Sequence, residues 1–546
     1  MDIRPAATLV LTRDTVDGMQ VLLLQRTWEA VFLPGFYVFP GGGVDESEAL
    51  GREHALGPED AKISQIMSLD EGGTDYMLAA VRECFEEAGV LLAQTGDGKN
   101  LAADHPVHEE REALFKGKIA FADLCQKHGL TIPLDRLAYL GHWTTPPGPP
   151  RRFDTRFFIT VAPASQTASH DGMETIDHIW LTPAEALADH RAGRRLLGLP
   201  TLQTLRVLSD FDTTEAAMRY AHANPPAPSP DKPWPAVRKG RTVELEPGAP
   251  AYDEACKLDP EGEGSTRAEI IPGEPVELAS GVIRLTAPNP GMMTGPGTNT
   301  YILGRGRFTV LDPGPDHEGH IGRLLDLTGG MIDQVLVTHT HLDHSPAAAT
   351  LKAKTGCRVF GRNAPDTAGQ DQGFCPDYEP VQDELIVTEV GTLKTIHTPG
   401  HASNHLCFAL LDQQLLFSGD HIMQGSTVVI NPPDGDMKAY IESLYELLAE
   451  PVQFIAPAHG FLMGQPGVVV DYLITHRLAR EHKVARALKQ IGPADLKAVT
   501  AKAYDDVPSA LHGVASRSAL AHLLKLEAER KVAKKEGGIW HTISHT

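Results

Sequence analysis

A chain of 546 residues exceeds the size at which one hydrophobic core stops growing, so it is expected to divide into three or four domains. With 42% hydrophobic and 22% charged residues its composition is that of a globular protein, and no run reaches the roughly 18 apolar residues that would span a bilayer. A net charge of −22 argues against wholesale nucleic-acid binding while leaving room for one local basic module. The opening MDIRPAATLVLTRD has acids on both sides of a short apolar run and no small-residue cleavage site, so no signal peptide is expected. Six cysteines without CxxC spacing read as reduced thiols, and a cytoplasmic location is expected.

In chain order, the first informative elements are a Gly-rich turn, FPGGGVD at Phe39 to Asp45, and a helix continuing from Tyr76. Met77, Leu78, Val81 and Phe85 form the apolar stripe of that helix, and Gly89 is expected to end it. Glu83, Glu86 and Glu87 share one helical face, where their oxygens can hold hard divalent cations. Arg82, four residues before Glu86, can orient it. Three glutamates on one face also describe an ordinary solvated helix surface.

The turn and the helix together resemble the Nudix box, with Gly42 and Glu48 opening it and RECFEEAGV closing it. Residues 49 to 81 form an insertion within the box, and its glycines suit it to looping out. VLLLQRTWEAVFLPGFYVFPGG and GHWTTPPGPPRRFDTRFFI narrow the resemblance to Nudix proteins related to peroxisomal coenzyme A diphosphatases, over roughly residues 1 to 215. That resemblance implies Mg²⁺ or Mn²⁺ bound by Glu83, Glu86 and Glu87, with Glu86 and Glu87 catalytic, and a diphosphate substrate; a non-catalytic binding module is the alternative for this half. Arg151, Arg152 and Arg156, around Asp154, are candidate phosphate contacts, with salt bridging inside the fold as the alternative.

NPPAPSPDKPWP, from Asn224 to Pro235, is too Pro-rich for a helix or central strand and reads as the start of a linker. The acidic, Gly/Pro-rich stretch after it shows little periodicity and is expected to wrap a domain surface.

The apolar run Gln334-Val335-Leu336-Val337 then leads into THTHLDH, where His339, His341, Asp343 and His344 stand within six residues. Alternate residues of an extended segment point the same way, so His339 and His341 can grip one cation while Asp343 and His344 turn toward a second. His401 in TPGHASNH, Asp420 in FSGDH and His459 in APAHG follow, each beside a glycine where a strand gives way to a turn. A His/Asp set without cysteine suits zinc or another first-row divalent ion, and seven ligands suggest two metals sharing Asp420.

From about Pro275 to His482 the sequence resembles a metallo-β-lactamase-fold hydrolase, with TGPGTNTYIL and VLDPG as its opening strands. HTPGHASNH, FSGDHIM and the stretch from Asp471 through THRLAREHK resemble the β-lactamase-like branch that includes a mitochondrial endoribonuclease. The resemblance implies one metal on His339, His341 and His401, a second on Asp343, His344 and His459, and Asp420 between them; two Zn²⁺ are expected, with Mn²⁺ or Fe²⁺ as alternatives. Asp343 is implied to be catalytic as well as a ligand. His405 is a candidate substrate contact, with support of a ligand as the alternative. The scaffold fixes the chemistry better than the substrate: a thioester or ester, or single-stranded RNA.

After His459 the pattern becomes helical, and a helix followed by GGIWHTI resembles a winged-helix appendage. Lys531, Lys534 and Lys535 make it a candidate RNA contact, although a solvated helix face explains such a run equally simply. The expected architecture is an α+β multidomain protein. It comprises a Nudix α/β/α sandwich at 1–222, a linker at 223–266, a metallo-β-lactamase αββα sandwich at 267–480 and a winged-helix-like domain at 481–546. The expected partners are small diphosphate and acyl molecules, with RNA as the alternative and no membrane; the oligomeric state is left open.

Overall fold

A computed structural model describes residues 3–145, 152–226 and 233–543. The chain divides into two compact units, Met1–Lys232 and Pro233–Thr546.

The first unit is built on a seven-stranded sheet. Its central pair, Ile3–Thr15 and Arg152–Val161, runs parallel, while Gly18–Arg26 pairs antiparallel with Ile3–Thr15. Alternation along the strands fills both faces. Leu9, Leu11, Leu22 and Leu24 pack against Leu78, Val81 and Phe85 of the helix Gly73–Ala88, whereas Val10, Val21 and Leu23 pack against Leu202, Leu205 and Leu208 on the other side. Helices on both faces give the expected α/β/α sandwich. Gly89, at a φ of 70°, ends the helix as expected, its N–H donating to the Phe85 carbonyl. The insertion folds into the short helices Glu48–Gly51 and Asp60–Ile66 beside the box helix.

The second unit stacks two six-stranded sheets. Tyr301, Leu303, Leu311 and Leu336 of one sheet meet Leu393, Phe408, Leu410 and Phe417 of the other. The alternate residues Ile302, Val310 and Val335 cover the helices Glu318–Thr328 and Ala347–Thr355 through Ile321, Leu324, Ala347 and Leu351. The helices Leu496–Ala503 and His512–Ala528 and the hairpin Val532–Lys534/Trp540–Thr542 form the winged-helix-like end, its core gathered around Trp540 and Leu523.

The helix Pro466–Ile491 runs unbroken across 480/481, because its buried face is continuous from Leu478 through Glu481 to Val484 and Leu488. The expected linker is largely folded: Trp234–Arg238 pairs antiparallel with Arg241–Leu245, and the helix Tyr252–Leu258 follows, all within the second unit. Alanines, small enough to pack closely, supply its core without the periodicity that would have announced it. Among the described residues no helix is long and apolar enough to cross a membrane.

Candidate metal centres

The larger centre sits on one rim of the two stacked sheets. THTHLDH follows the strand Ile332–Leu336, His401 lies between Gly391–His397 and Leu406–Leu410, Asp420 follows Leu415–Gly419, and His459 follows Phe454–Pro457. Two ligand groups result. His339, His341, His401 and Asp420 each bring one ligand atom within 4.8 Å of the others, as do Asp343, His344 and His459. Asp420 faces both groups: Oδ2 is 3.7 Å from His401 Nε2, and Oδ1 is 3.2 Å from His459 Nε2.

The hydrogen bonds behind the rings show that this set suits a cation. His401 Nδ1 donates to the Val429 carbonyl at 2.9 Å, which leaves Nε2 as a lone pair in the neutral ring. The Thr338 hydroxyl donates to Asp312 Oδ2 at 2.8 Å, so its oxygen accepts from His339 Nδ1 at 3.1 Å, and His339 Nε2 is likewise a lone pair. Both lone pairs point at His341 Nδ1, from 2.9 and 3.0 Å. One nitrogen carries at most one proton, so it cannot satisfy both; a divalent ion can accept all three. Burial first, then the neighbouring imidazoles, holds His339 well below the usual histidine range, and burial with His401 brings His341 down to about 3. Neutral rings are what metal ligation requires.

The second group has the opposite electrostatics. Burial opposes a charge on His459, but Asp420 and Asp343 outweigh it and push the imidazole up to about 10. His344 is raised in the same way by Asp343, Asp420 and Asp312. Its Nδ1 donates to Asp312 Oδ2 at 3.0 Å, while its Nε2 is buried with no hydrogen-bond partner and lies 3.4 Å from Asp343 Oδ2. His459 Nδ1 donates to the Gly297 carbonyl at 3.2 Å, and the Thr298 hydroxyl donates to Asp343 Oδ2 at 3.1 Å. A cation here would balance the carboxylates in place of protons on the two rings.

His405 is the candidate for substrate contact or for support of a ligand. It is fully buried behind the ligands; its Nε2 accepts from the Asp420 backbone N–H at 3.2 Å and its Nδ1 meets the Thr398 hydroxyl at 2.8 Å. Asp312 of VLDPG supports His344 directly and His339 through Thr338, a role that its sequence surroundings do not announce.

In the first unit Glu48, Glu83 and Glu86 gather around Arg82, and Glu87 lies against the Gly41 backbone. The guanidinium contacts Glu83 Oε1 at 2.9 Å, Glu86 Oε1 at 3.3 Å and Glu48 Oε1 at 2.5 Å. Glu48 thus reaches the box helix despite the insertion. The Gly41 N–H donates to Glu87 Oε2 at 2.9 Å, and a Cβ at Gly42 would come within 2.4 Å of Glu83 Oε1, so a larger residue there would displace that carboxylate. Burial, opposed by Arg82 and reinforced by Glu86, pushes Glu83 up to about 7; burial and Glu83 raise Glu87 well above the carboxylate range. Crowded buried carboxylates of this kind suit a hard divalent ion, although the three glutamates do not close to the 4.8 Å spacing of the other groups.

Arg156 is the candidate for phosphate contact or for salt bridging inside the fold. It is buried, pairs with Asp154 at 2.6 Å and stacks on Tyr76 at 4.4 Å, so salt bridging inside the fold describes it. Arg152 is half-buried and donates to the Thr145 carbonyl at 2.8 Å; Arg151 lies outside the described residues. In the wing Lys531 pairs with Glu529 at 2.7 Å and Lys534 stands 5.5 Å from the Trp540 ring centre, while Lys535 is exposed.

Known proteins resemble the chain in three stretches. Residues 51–208 match the NUDT19 Nudix domain, 293–459 the metallo-beta-lactamase superfamily, and 496–540 the beta-lactamase associated winged helix domain. A Beta-lactamase-like protein 2 homolog of Drosophila melanogaster is 34% identical over 269 residues, spanning 47% of this chain and 90% of that protein. An Atrochrysone carboxyl ACP thioesterase of Aspergillus chevalieri is 32% identical over 275 residues, spanning 47% of this chain and 85% of that protein. The crystal structure of a NUDIX hydrolase from Alicyclobacillus acidocaldarius is 31% identical with a TM-score of 0.36, covering 40% of this chain and 96% of that one.

Proposed function

We propose that this chain, which belongs to the metallo-beta-lactamase superfamily and carries a Nudix domain ahead of that fold, is a two-centre metal-dependent hydrolase whose second unit cleaves a thioester or related ester. The observation that carries this reading is the convergence of three imidazole lone pairs beside a carboxylate that faces a second ligand group. Divalent ions held there, two Zn²⁺ with Mn²⁺ or Fe²⁺ as alternatives, would polarise the acyl carbonyl and bring the pKa of water toward neutrality.

The chain's own residues do the rest. Thr338 and Val429 fix His339 and His401 in the tautomer that presents Nε2. Thr298 fixes the Asp343 carboxylate, which stays ionised far below the usual range because His344 and His459 outweigh its burial. Asp343 is therefore placed to accept a hydrogen bond from the attacking water and orient it. A thioester is favoured over RNA because a relative of which the chain covers 85% is named a thioesterase, and because the net charge of −22 repels a polyanion.

For the first unit the reading is a diphosphatase acting on a nucleoside-diphosphate-linked molecule such as a coenzyme A derivative. Glu83, Glu86 and Glu87 would hold Mg²⁺ or Mn²⁺, which neutralises phosphate charge and activates water. A screen of acyl-CoA thioesters, simple esters, coenzyme A, nucleoside diphosphate sugars and single-stranded RNA tests both halves. Metal-dependent release of free thiol is expected; cleavage of RNA with inert thioesters would overturn the proposal.

A further inference from the structure

The folded segment between the catalytic halves grips the turn that carries His459. Its core gathers Ala236, Leu245, Ala251, Ala255 and Ala268 around Phe461, two residues after His459. Glu254, only 4% exposed, accepts the Leu462 backbone N–H through Oε2 at 2.8 Å. The same carboxylate forms a two-pronged pair with buried Arg284, at 2.5 and 2.9 Å. Its neighbour Asp253 accepts the Gly464 N–H at 2.8 Å. Asn299 Nδ2 donates to the Pro457 and Gly460 carbonyls, both at 2.9 Å. The turn from Pro457 to Gly464 is thus clamped between the hydrolase sheet and the inter-domain segment.

A buried ion pair adds little stability by itself, since apolar side chains of similar volume fill such a site as well or better. An ion pair that also captures a backbone N–H beside a ligand turn has a geometric use. We propose that Glu254 is a positioning residue for His459. Through Leu462, and with Phe461 packed into the segment, it sets the ring against Asp343 and Asp420. Occupancy of that ligand group then depends on a stretch that belongs to neither catalytic fold by sequence. The inference rests on the metal-centre reading above.

The test is cobalt(II) titration of the metal-free full-length chain, read by visible absorption and by thermal melting. The double variant Glu254→Leu/Arg284→Met fills the space of the ion pair with apolar side chains but offers Leu462 no acceptor. Its melting should stay close to that of the unaltered chain. One ion should bind as before and the other about 10- to 100-fold more weakly, the cost typical of losing a group that supports a ligand. Glu254→Gln, whose amide oxygen can still accept, should recover most of that affinity. If the double variant does not fold, Asp253→Ala provides the same reading at Gly464 and should weaken the same ion to a smaller extent. Unchanged binding of both ions overturns the proposal, as does an equal loss of both alongside a lowered melting temperature. An unaltered chain that takes up no cobalt overturns the metal-centre reading and this inference with it.

Discussion

The Asp312 carboxylate organises more of the larger centre than any residue that would itself touch a metal. Oδ1 accepts the Thr338 backbone N–H at 2.7 Å, and Oδ2 accepts both the Thr338 hydroxyl and His344 Nδ1. One buried group therefore sets the ring state of His344 directly and of His339 through Thr338. Asp312→Ala is predicted to weaken metal binding by about 10- to 100-fold. Competition with a chelator of known affinity measures this, and unchanged affinity would remove Asp312 from the account. Its role could not be read from the sequence, because it depends on the parallel pairing of Phe308–Leu311 with Ile332–Leu336, which brings Leu311 opposite Leu336. THTHLDH was legible because its ligands share one short loop and need no distant contact to be recognised. His405 and Arg156 share Asp312's difficulty: nothing local says whether a polar side chain beside a site faces the substrate or the core, and here burial turns both inward.

At the level of elements, the helix Pro466–Ile491 joins the hydrolase sandwich to the winged-helix-like end. On this helix Arg480 pairs with Asp506 at 2.9 Å and Lys483 with Asp505 at 2.6 Å. Those partners lie more than twenty residues downstream, beyond any helical period, so the sequence pattern could not show them. Nearby, buried Glu481 meets Lys525 at 2.8 Å and stands 3.6 Å from His522 Nδ1. Burial disfavours its charge, but His522 and Lys525 outweigh it and bring the carboxyl down to about 2, against 4.5 ordinarily. A folded-state value below the unfolded one contributes stability above the unfolded value, and that contribution is lost as pH falls through the folded value. Stability from this joint should therefore fade between about pH 4.5 and pH 2, by about 3 kcal/mol at most. Glu481→Gln should lower the melting temperature at pH 7 and flatten the acid limb of the melting-temperature profile; an unaltered limb would contradict this role.

At the level of the whole molecule, each ligand set lies within one compact unit: the glutamates in Met1–Lys232, the histidines and aspartates in Pro233–Thr546. Glu87→Gln is predicted to abolish diphosphatase turnover and leave thioester turnover unchanged, and Asp343→Asn to do the reverse. Loss of both activities from either substitution in a folded chain would contradict two independent centres. The architecture was legible because two local motifs and a Pro-rich stretch divide the chain, but the true break near Lys232 leaves the inter-domain hairpin and helix with the second centre. The second unit is predicted to hold a pair of metal ions. Elemental analysis of the purified full-length chain after zinc reconstitution and removal of loosely bound metal addresses it directly. About two ions per chain are predicted, falling to about one in His401→Ala or His459→Ala. Less than about half an ion in the unaltered chain would contradict the dinuclear centre.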